Sequence, residues 1–169
     1  IAVSRGLGDV YKRQVKYWAS RRGINNAFDG SLSSYAWTLL TIQHAQLVQP
    51  ALAPNRQENC PSKPLSFQGK TFDVGFNDDD FNTENTQSLA SLLISFFDRY
   101  ATRWDWESMV VSIRNGKAHS TKFKKWNHTG PLPLEVVTGV DDGRMEHVMP
   151  IEDPFDHEHD PVSYTHLTL

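Results

Sequence analysis

Two stretches of the chain place hydrophobic residues at helical spacing. Leu89, Leu92, Leu93, Phe96, Phe97 and Tyr100 follow i, i+3, i+4, i+7, i+8 and i+11. That pattern predicts an amphipathic helix with one buried face, and Thr86 or Ser88 is placed to cap it. Leu32, Tyr35, Ala36, Leu39 and Leu40 make a second buried face, on a helix capped by Ser31 or Ser33 and running to about Val48, where Pro50 stops it. Val15 to Arg22 holds good helix formers up to Gly23, as at the end of a helix begun upstream. Ile24 to Gly30 carries turn chemistry. Pro50 to Ser66, with Pro50, Pro54, Pro61 and Pro64, reads as a surface connection, and Asn77 to Gln87, with Asp78-Asp79-Asp80, as a solvated loop. Met109 to Arg114 reads as a short strand entering a turn at Asn115-Gly116. Met149 to Asp160 is charged and broken by proline. The expected fold is mainly α with a minor β element.

Composition narrows the function classes. At 38% hydrophobic the chain can bury a core, and no run approaches the roughly 20 apolar residues of a bilayer helix. The lone Cys60 excludes a disulfide-stapled domain and fits a reducing compartment. The net charge of −3 excludes a grip on nucleic acid through bulk positive charge.

The two ends read as foreign. Asp9-Val10-Tyr11-Lys12-Arg13-Gln14 and Val162-Ser163-Tyr164-Thr165-His166 back-translate into strings that are reverse complements of each other over their shared length. Ser4 to Gln14 and Val162 to Leu169 resemble the two strands of a translated transposon-type sequencing adapter. They are therefore left out of the fold argument, as an expression scar would be. On this reading residues 1–14 and 161–169 are non-native and 15–160 are native. Leaving out the two adapter-like stretches removes three of the 17 basic and one of the 20 acidic residues, so the net charge becomes −5.

The residues alone offer three chemistries. Lys16, Arg21 and Arg22 on one helix, with Ser33-Ser34-Tyr35 opening the next, would suit a nucleotide: the helix end and Lys16 face phosphate and the ring stacks a base. A capped helix with a core tyrosine and a solvated basic face explains the same residues. His157 and His159, among Asp156, Glu158 and Asp160, could hold a divalent metal, although residues two apart share a face only in a strand. A charged exposed tail is the plainer alternative. Cys60 in Asn59-Cys60-Pro61 has no local support as a nucleophile. Lys117 to Lys125, with Lys122, Lys124, Lys125 and Trp126, could contact RNA or be a solvated surface.

Three ordered segments resemble the noncanonical poly(A) polymerase and terminal uridylyltransferase family. They are Val15-Lys16-Tyr17-Trp18-Ala19-Ser20-Arg21-Arg22-Gly23-Ile24-Asn25 with Gly30-Ser31-Leu32-Ser33-Ser34-Tyr35; Phe72-Asp73-Val74-Gly75-Phe76 with Ser88 to Leu93, Phe96-Phe97 and Tyr100-Ala101; and Ile151-Glu152-Asp153-Pro154-Phe155. The resemblance implies that residues 15–160 are the helical central and poly(A)-polymerase-associated region of a template-independent RNA 3′-terminal nucleotidyltransferase. It implies stacking of the base on Tyr35, phosphate binding by Ser34, and triphosphate contact from Lys16. A second basic residue usually follows four positions on, where this chain has Ser20, one turn along the same face.

Asp153 and Asp156 match the acidic positions that read the base edge. His159 stands six residues after Asp153, where UTP-preferring members carry histidine; a ring there can bond the uracil edge and crowd out a purine. The expected substrate is therefore UTP, with poly(A) addition or a noncatalytic RNA-processing module as alternatives. The family's catalytic carboxylates lie in an N-terminal α/β domain and hold Mg²⁺ or Mn²⁺. No such motif precedes Val15, so residues 1–169 are expected to hold neither catalytic nor metal-binding residues and to be inactive alone. The expected partners are an RNA 3′ end, a nucleoside triphosphate and the N-terminal domain in cis, with no membrane; the expected location is cytoplasmic or nuclear.

Overall fold

The computed structural model describes residues 2–27, 31–106, 108–114, 119–120 and 149–156. Three helices enclose the core. Helix α1 (Ala2–Arg21) buries Tyr11, Val15 and Ala19, each one turn beyond the last, with Leu7 and Trp18 packed partly against the same cluster. It therefore continues back through Ser4–Gln14. Its end is closed by amide bonds from Gly23 to the Ser20 carbonyl (3.1 Å) and from Ile24 to the Ala19 carbonyl (3.1 Å). Gly23 takes the left-handed φ of 67° that this closure requires, which glycine adopts without a steric cost.

Helix α2 (Ser34–Leu47) is the central helix. Its cap is Ser33, whose Oγ accepts from the Ala36 amide at 3.0 Å. Burial extends almost all round it, taking in Ala36, Trp37, Leu39, Leu40, Thr41, Gln43, His44 and Ala45. Tyr35 departs from the expected buried face: it is 41% exposed, although Ala36 and Trp37 in the same turn are buried. After Val48 the chain folds back, with the Leu52 and Ala53 amides both donating to the Ala45 carbonyl (2.8 and 3.1 Å), and Leu52 enters the core.

Helix α3 (Leu89–Asp98) is capped by Ser88, whose Oγ accepts from Ser91, and runs into a π-helical turn at Arg99–Arg103. Leu92, Phe96 and Tyr100 are buried, while Leu89, Leu93 and Phe97 pack at the margin. Phe96 is the hub: the rings of Tyr11, Trp37, His44, Phe97 and Tyr100 lie with centroids 5.0 to 6.4 Å from it.

The β structure is small. Strands β1 (Pro64–Phe67) and β2 (Lys70–Asp73) pair antiparallel from Pro64↔Asp73 to Phe67↔Lys70. Gln68 (φ 49°) and Gly69 (φ 80°) turn the hairpin, two consecutive left-handed residues that match strand twist. The start of this hairpin falls within Pro50 to Ser66, expected to be a plain connection. All four residues of β1 are exposed, so no burial alternation marks it in the sequence. Strand β3 (Met109–Val110) pairs antiparallel with β4 (His119–Ser120) and is shorter than the expected Met109 to Arg114.

Val111 then pairs in parallel with Ile151, through amide bonds from Val111 to the Pro150 carbonyl (2.9 Å) and from Glu152 to the Val111 carbonyl (2.8 Å). This pairing ties the start of the charged, proline-broken Met149 to Asp160 segment to the core, while the His157–Asp160 part, for which a metal site and an exposed tail were the alternatives, lies outside the described residues. Ile151 is fully buried, and Pro150, Glu152 and Pro154 are buried with it.

Candidate nucleotide-binding site

The turn between α1 and α2 is held by polar contacts. Ser31 Oγ donates to the Asn26 carbonyl (2.8 Å) and accepts from its amide (2.9 Å), and Trp37 Nε1 donates to the Ile24 carbonyl (2.9 Å). These bonds fix where Ser33-Ser34-Tyr35 begins α2. Ser33 is taken up as the cap. Ser34 is the first helical residue, and its hydroxyl has no protein partner among the described residues. The opening amides of a helix carry partial positive charge, which suits an anion.

The Tyr35 hydroxyl donates to the Asp153 carboxylate. Partial burial, followed by the Asp153 charge and this hydrogen bond, pushes the phenol above its ordinary range. Asp153 also organises its own turn, with Oδ1 accepting from the amides of Phe155 (2.8 Å) and Asp156 (3.2 Å), an Asx turn across Asp-Pro-Phe-Asp. Gln57 Nε2 donates to the Pro154 carbonyl (3.2 Å), and Lys70 Nζ meets Asp156 Oδ2 at 3.0 Å. Just before the turn, the buried Glu152 carboxylate lies 3.8 Å from the Arg114 guanidinium.

Asp73, at the foot of β2, accepts from the amides of Lys63 (2.8 Å) and Gly75 (3.0 Å), and these donors hold its carboxyl below the ordinary range. The Phe72–Phe76 motif thereby anchors the hairpin that carries Lys70.

Two residues from distant parts of the sequence, Tyr35 and Asp153, are brought into direct contact, with Asp156 in the same turn. Ser34 adjoins Tyr35 on α2. Lys16 lies on α1, next to buried Val15, and forms no ion pair among the described residues. Ser20, one turn further on, is exposed; Arg22 lies 5.2 Å from the Trp18 ring centroid, and Arg21 is exposed. His157, His159, Glu158, Asp160, Lys122, Lys124, Lys125 and Trp126 lie outside the described residues.

Sequence reasoning missed Gln57, Lys70 and Arg114. No local motif marks them, because each acts across the fold on the segment around Asp153. Cys60 donates to the Gln57 carbonyl (3.4 Å), and Asp78 pairs with Arg56 at 3.8 Å, as a solvated loop would. Among the described residues no group of three or more histidine, cysteine or carboxylate side chains could hold a metal ion. No helix among them is long and apolar enough to cross a membrane.

Residues 88–159 match the family model described as Cid1 family poly A polymerase. Terminal uridylyltransferase cid1 of Schizosaccharomyces pombe is 32% identical over 154 residues, covering 86% of this chain and 36% of that protein. Poly(A) RNA polymerase GLD2 of Homo sapiens is 32% identical over 106 residues, covering 62% of this chain and 22% of that protein. The structure of Cid1 in complex with the UTP analogue UMPNPP superposes with a TM-score of 0.72 at 28% identity, over 92% of this chain and 46% of that one. The chain thus spans less than half the length of each of these relatives. By sequence and by fold, it belongs to the family of noncanonical poly(A) polymerases and terminal uridylyltransferases.

Proposed function

We propose that the chain forms the nucleotide-binding wall and base-selecting turn of an RNA 3′-terminal nucleotidyltransferase whose substrate is UTP. The observation that carries this reading is the contact between Tyr35 and Asp153. It sets a part-exposed aromatic ring and a carboxylate side by side at the opening of a helix. A ring face suits a base, an acceptor suits the N–H of its edge, and the helix amides with Ser34 and Lys16 suit phosphate. The intact protein would add nucleotides to an RNA 3′ end, with Mg²⁺ or Mn²⁺ held by carboxylates in the rest of the enzyme.

The choice of uridine rests on His159. Adenosine is the second reading, and GLD2 and cid13, both poly(A) RNA polymerases by name, are relatives at 32% and 34% identity that support it. Extension of a labelled RNA by the full-length protein, with UTP and ATP in separate reactions, tests both. UTP should be favoured, and His159→Asn should move the preference toward ATP. Equal use of both nucleotides by the unaltered protein would overturn the uridine reading, and no extension with either would overturn the transferase reading. Residues 1–169 alone should add no nucleotide, and measurable addition by that piece would overturn this assignment of parts.

A further inference from the structure

The hairpin has a relation to the base-reading turn that the family resemblance did not call for. Cross-strand register puts Leu65, Phe67, Lys70 and Phe72 on one face of β1 and β2, because Leu65 faces Phe72 and Phe67 faces Lys70. From that face the Lys70 ammonium reaches Asp156 Oδ2 at 3.0 Å. Asp156 is the more enclosed partner, with its side chain 24% exposed against 66% for Lys70. The pair therefore restrains the carboxylate more than it secures the lysine. The backbone of the same residue is held by Asp153 Oδ1, the residue that also takes the Tyr35 hydrogen bond.

We propose that Lys70 is a positioning residue for base selection: it fixes the Asp156 carboxylate, and through the Asx turn the Asp153 carboxylate, in the orientation that reads the base edge. This rests on the nucleotide-binding reading above. Two carboxylates lie in one short turn. An ammonium on one of them offsets their repulsion and restrains the Asp156 side chain. Without Lys70 the Asp156 side chain gains rotamers and the turn loses an electrostatic partner. An ion pair this exposed adds little to stability, so its removal leaves the fold in place and its effect falls on selectivity.

The test is steady-state kinetics of the full-length protein with UTP and ATP, comparing Lys70→Met, Lys70→Arg, Asp156→Asn and the Lys70→Met/Asp156→Asn pair. Lys70→Met should lower the ratio of kcat/KM between the favoured and disfavoured nucleotide by about threefold, the scale an exposed ion pair can transmit. The change should come through KM of the favoured nucleotide, with kcat held. Lys70→Arg should restore most of the ratio. In the double variant the lysine change should add nothing to the Asp156→Asn effect. An unchanged ratio in Lys70→Met, or the same further drop in the Asp156→Asn background, overturns the assignment while leaving the nucleotide site standing. Absence of nucleotide addition by the unaltered protein overturns the underlying reading, and the assignment with it.

Discussion

The Tyr35 hydroxyl donates to the Asp153 carboxylate, joining the first turn of α2 to the Asp153–Asp156 turn. The bond satisfies the polar edge of the ring and leaves a ring that is 41% exposed, so the ring is oriented before any ligand arrives. If it stacks a base, Tyr35→Ala in the full-length protein removes about 1–3 kcal/mol of binding and raises the nucleotide KM by about fivefold to 150-fold. The cost to stability should be about 1 kcal/mol, well short of the roughly 3–5 kcal/mol for truncating a core aromatic. Paired KM and melting measurements decide between the two roles. A large melting shift with unchanged KM would return Tyr35 to the core.

Acid should unfold the helical core through His44. This residue is fully buried; its Nδ1 accepts from the Tyr11 hydroxyl at 2.7 Å, and its Nε2–H donates to Ser95 Oγ at 3.2 Å. The Ser95 proton goes to the Leu92 carbonyl (3.0 Å), which leaves the serine oxygen as the acceptor and the ring neutral. Burial, helped by the nearby Arg99 charge, lowers the imidazole to about 4, from 6.5 in an open chain. A folded value below the unfolded one means the stabilisation is complete above pH 6.5 and is lost as pH falls toward 4. Between pH 7.5 and 5 the protein should lose about 2 kcal/mol through this group. Urea titrations at the two pH values measure it, and His44→Gln should flatten the difference.

The legible parts of the fold were those whose cause is local. Ser33 and Ser88 cap the two helices that apolar spacing located, since cap and stripe sit within a few residues of each other. The same spacing places Tyr35 with the core, but periodicity says which side of a helix a residue occupies, not whether a neighbour covers it. The hairpin was invisible because its strands bury nothing in alternation. Burial of Ile151 depends on pairing with Val111, far away in the sequence, and the contacts of Lys70, Gln57 and Arg114 depend on the same closure of the chain. The site was legible only as separate motifs; that Tyr35 meets Asp153 is a property of the fold.

Tyr11 lies in the adapter-like stretch Ser4–Gln14, yet it continues the apolar stripe of Val15 and Ala19 and supplies the donor to His44. Tyr11→Phe should therefore cost about 1–3 kcal/mol, the penalty of a buried nitrogen left without its partner. Gly6 and Gly8 test the same stretch from the opposite direction. A Cβ added at either meets nothing within 4 Å, so alanine keeps the helix and removes a flexible residue. Each substitution should add about 0.5–1 kcal/mol. Thermal unfolding of the three variants reads both signs. No loss in Tyr11→Phe would show that the Tyr11 hydroxyl is not what holds His44.

Gly75 should tolerate no side chain, for a reason other than backbone strain. Its φ is not in the left-handed range, and the obstacle is proximity: a Cβ would overlap the Pro61 carbonyl oxygen and crowd Asp73 Oδ1 at 3.1 Å and the Lys63 amide nitrogen at 3.2 Å. The first of these is backbone and cannot swing aside. Gly75→Ala must push the Pro61–Lys63 segment away from Asp73, weakening the bonds that close the hairpin, from the Lys63 amide to Asp73 Oδ1 and from the Val74 amide to the Lys63 carbonyl. The cost should be about 1–3 kcal/mol, as for overpacking elsewhere. Because the displaced segment leads into the hairpin bearing Lys70, the disturbance should also reach Asp156. Amide chemical shifts of Asp153 to Asp156 measure it: they should move in Gly75→Ala and stay in Gly6→Ala, whose site lies on α1, away from the hairpin. Unmoved shifts in Gly75→Ala would mean the foot of the hairpin does not govern the turn.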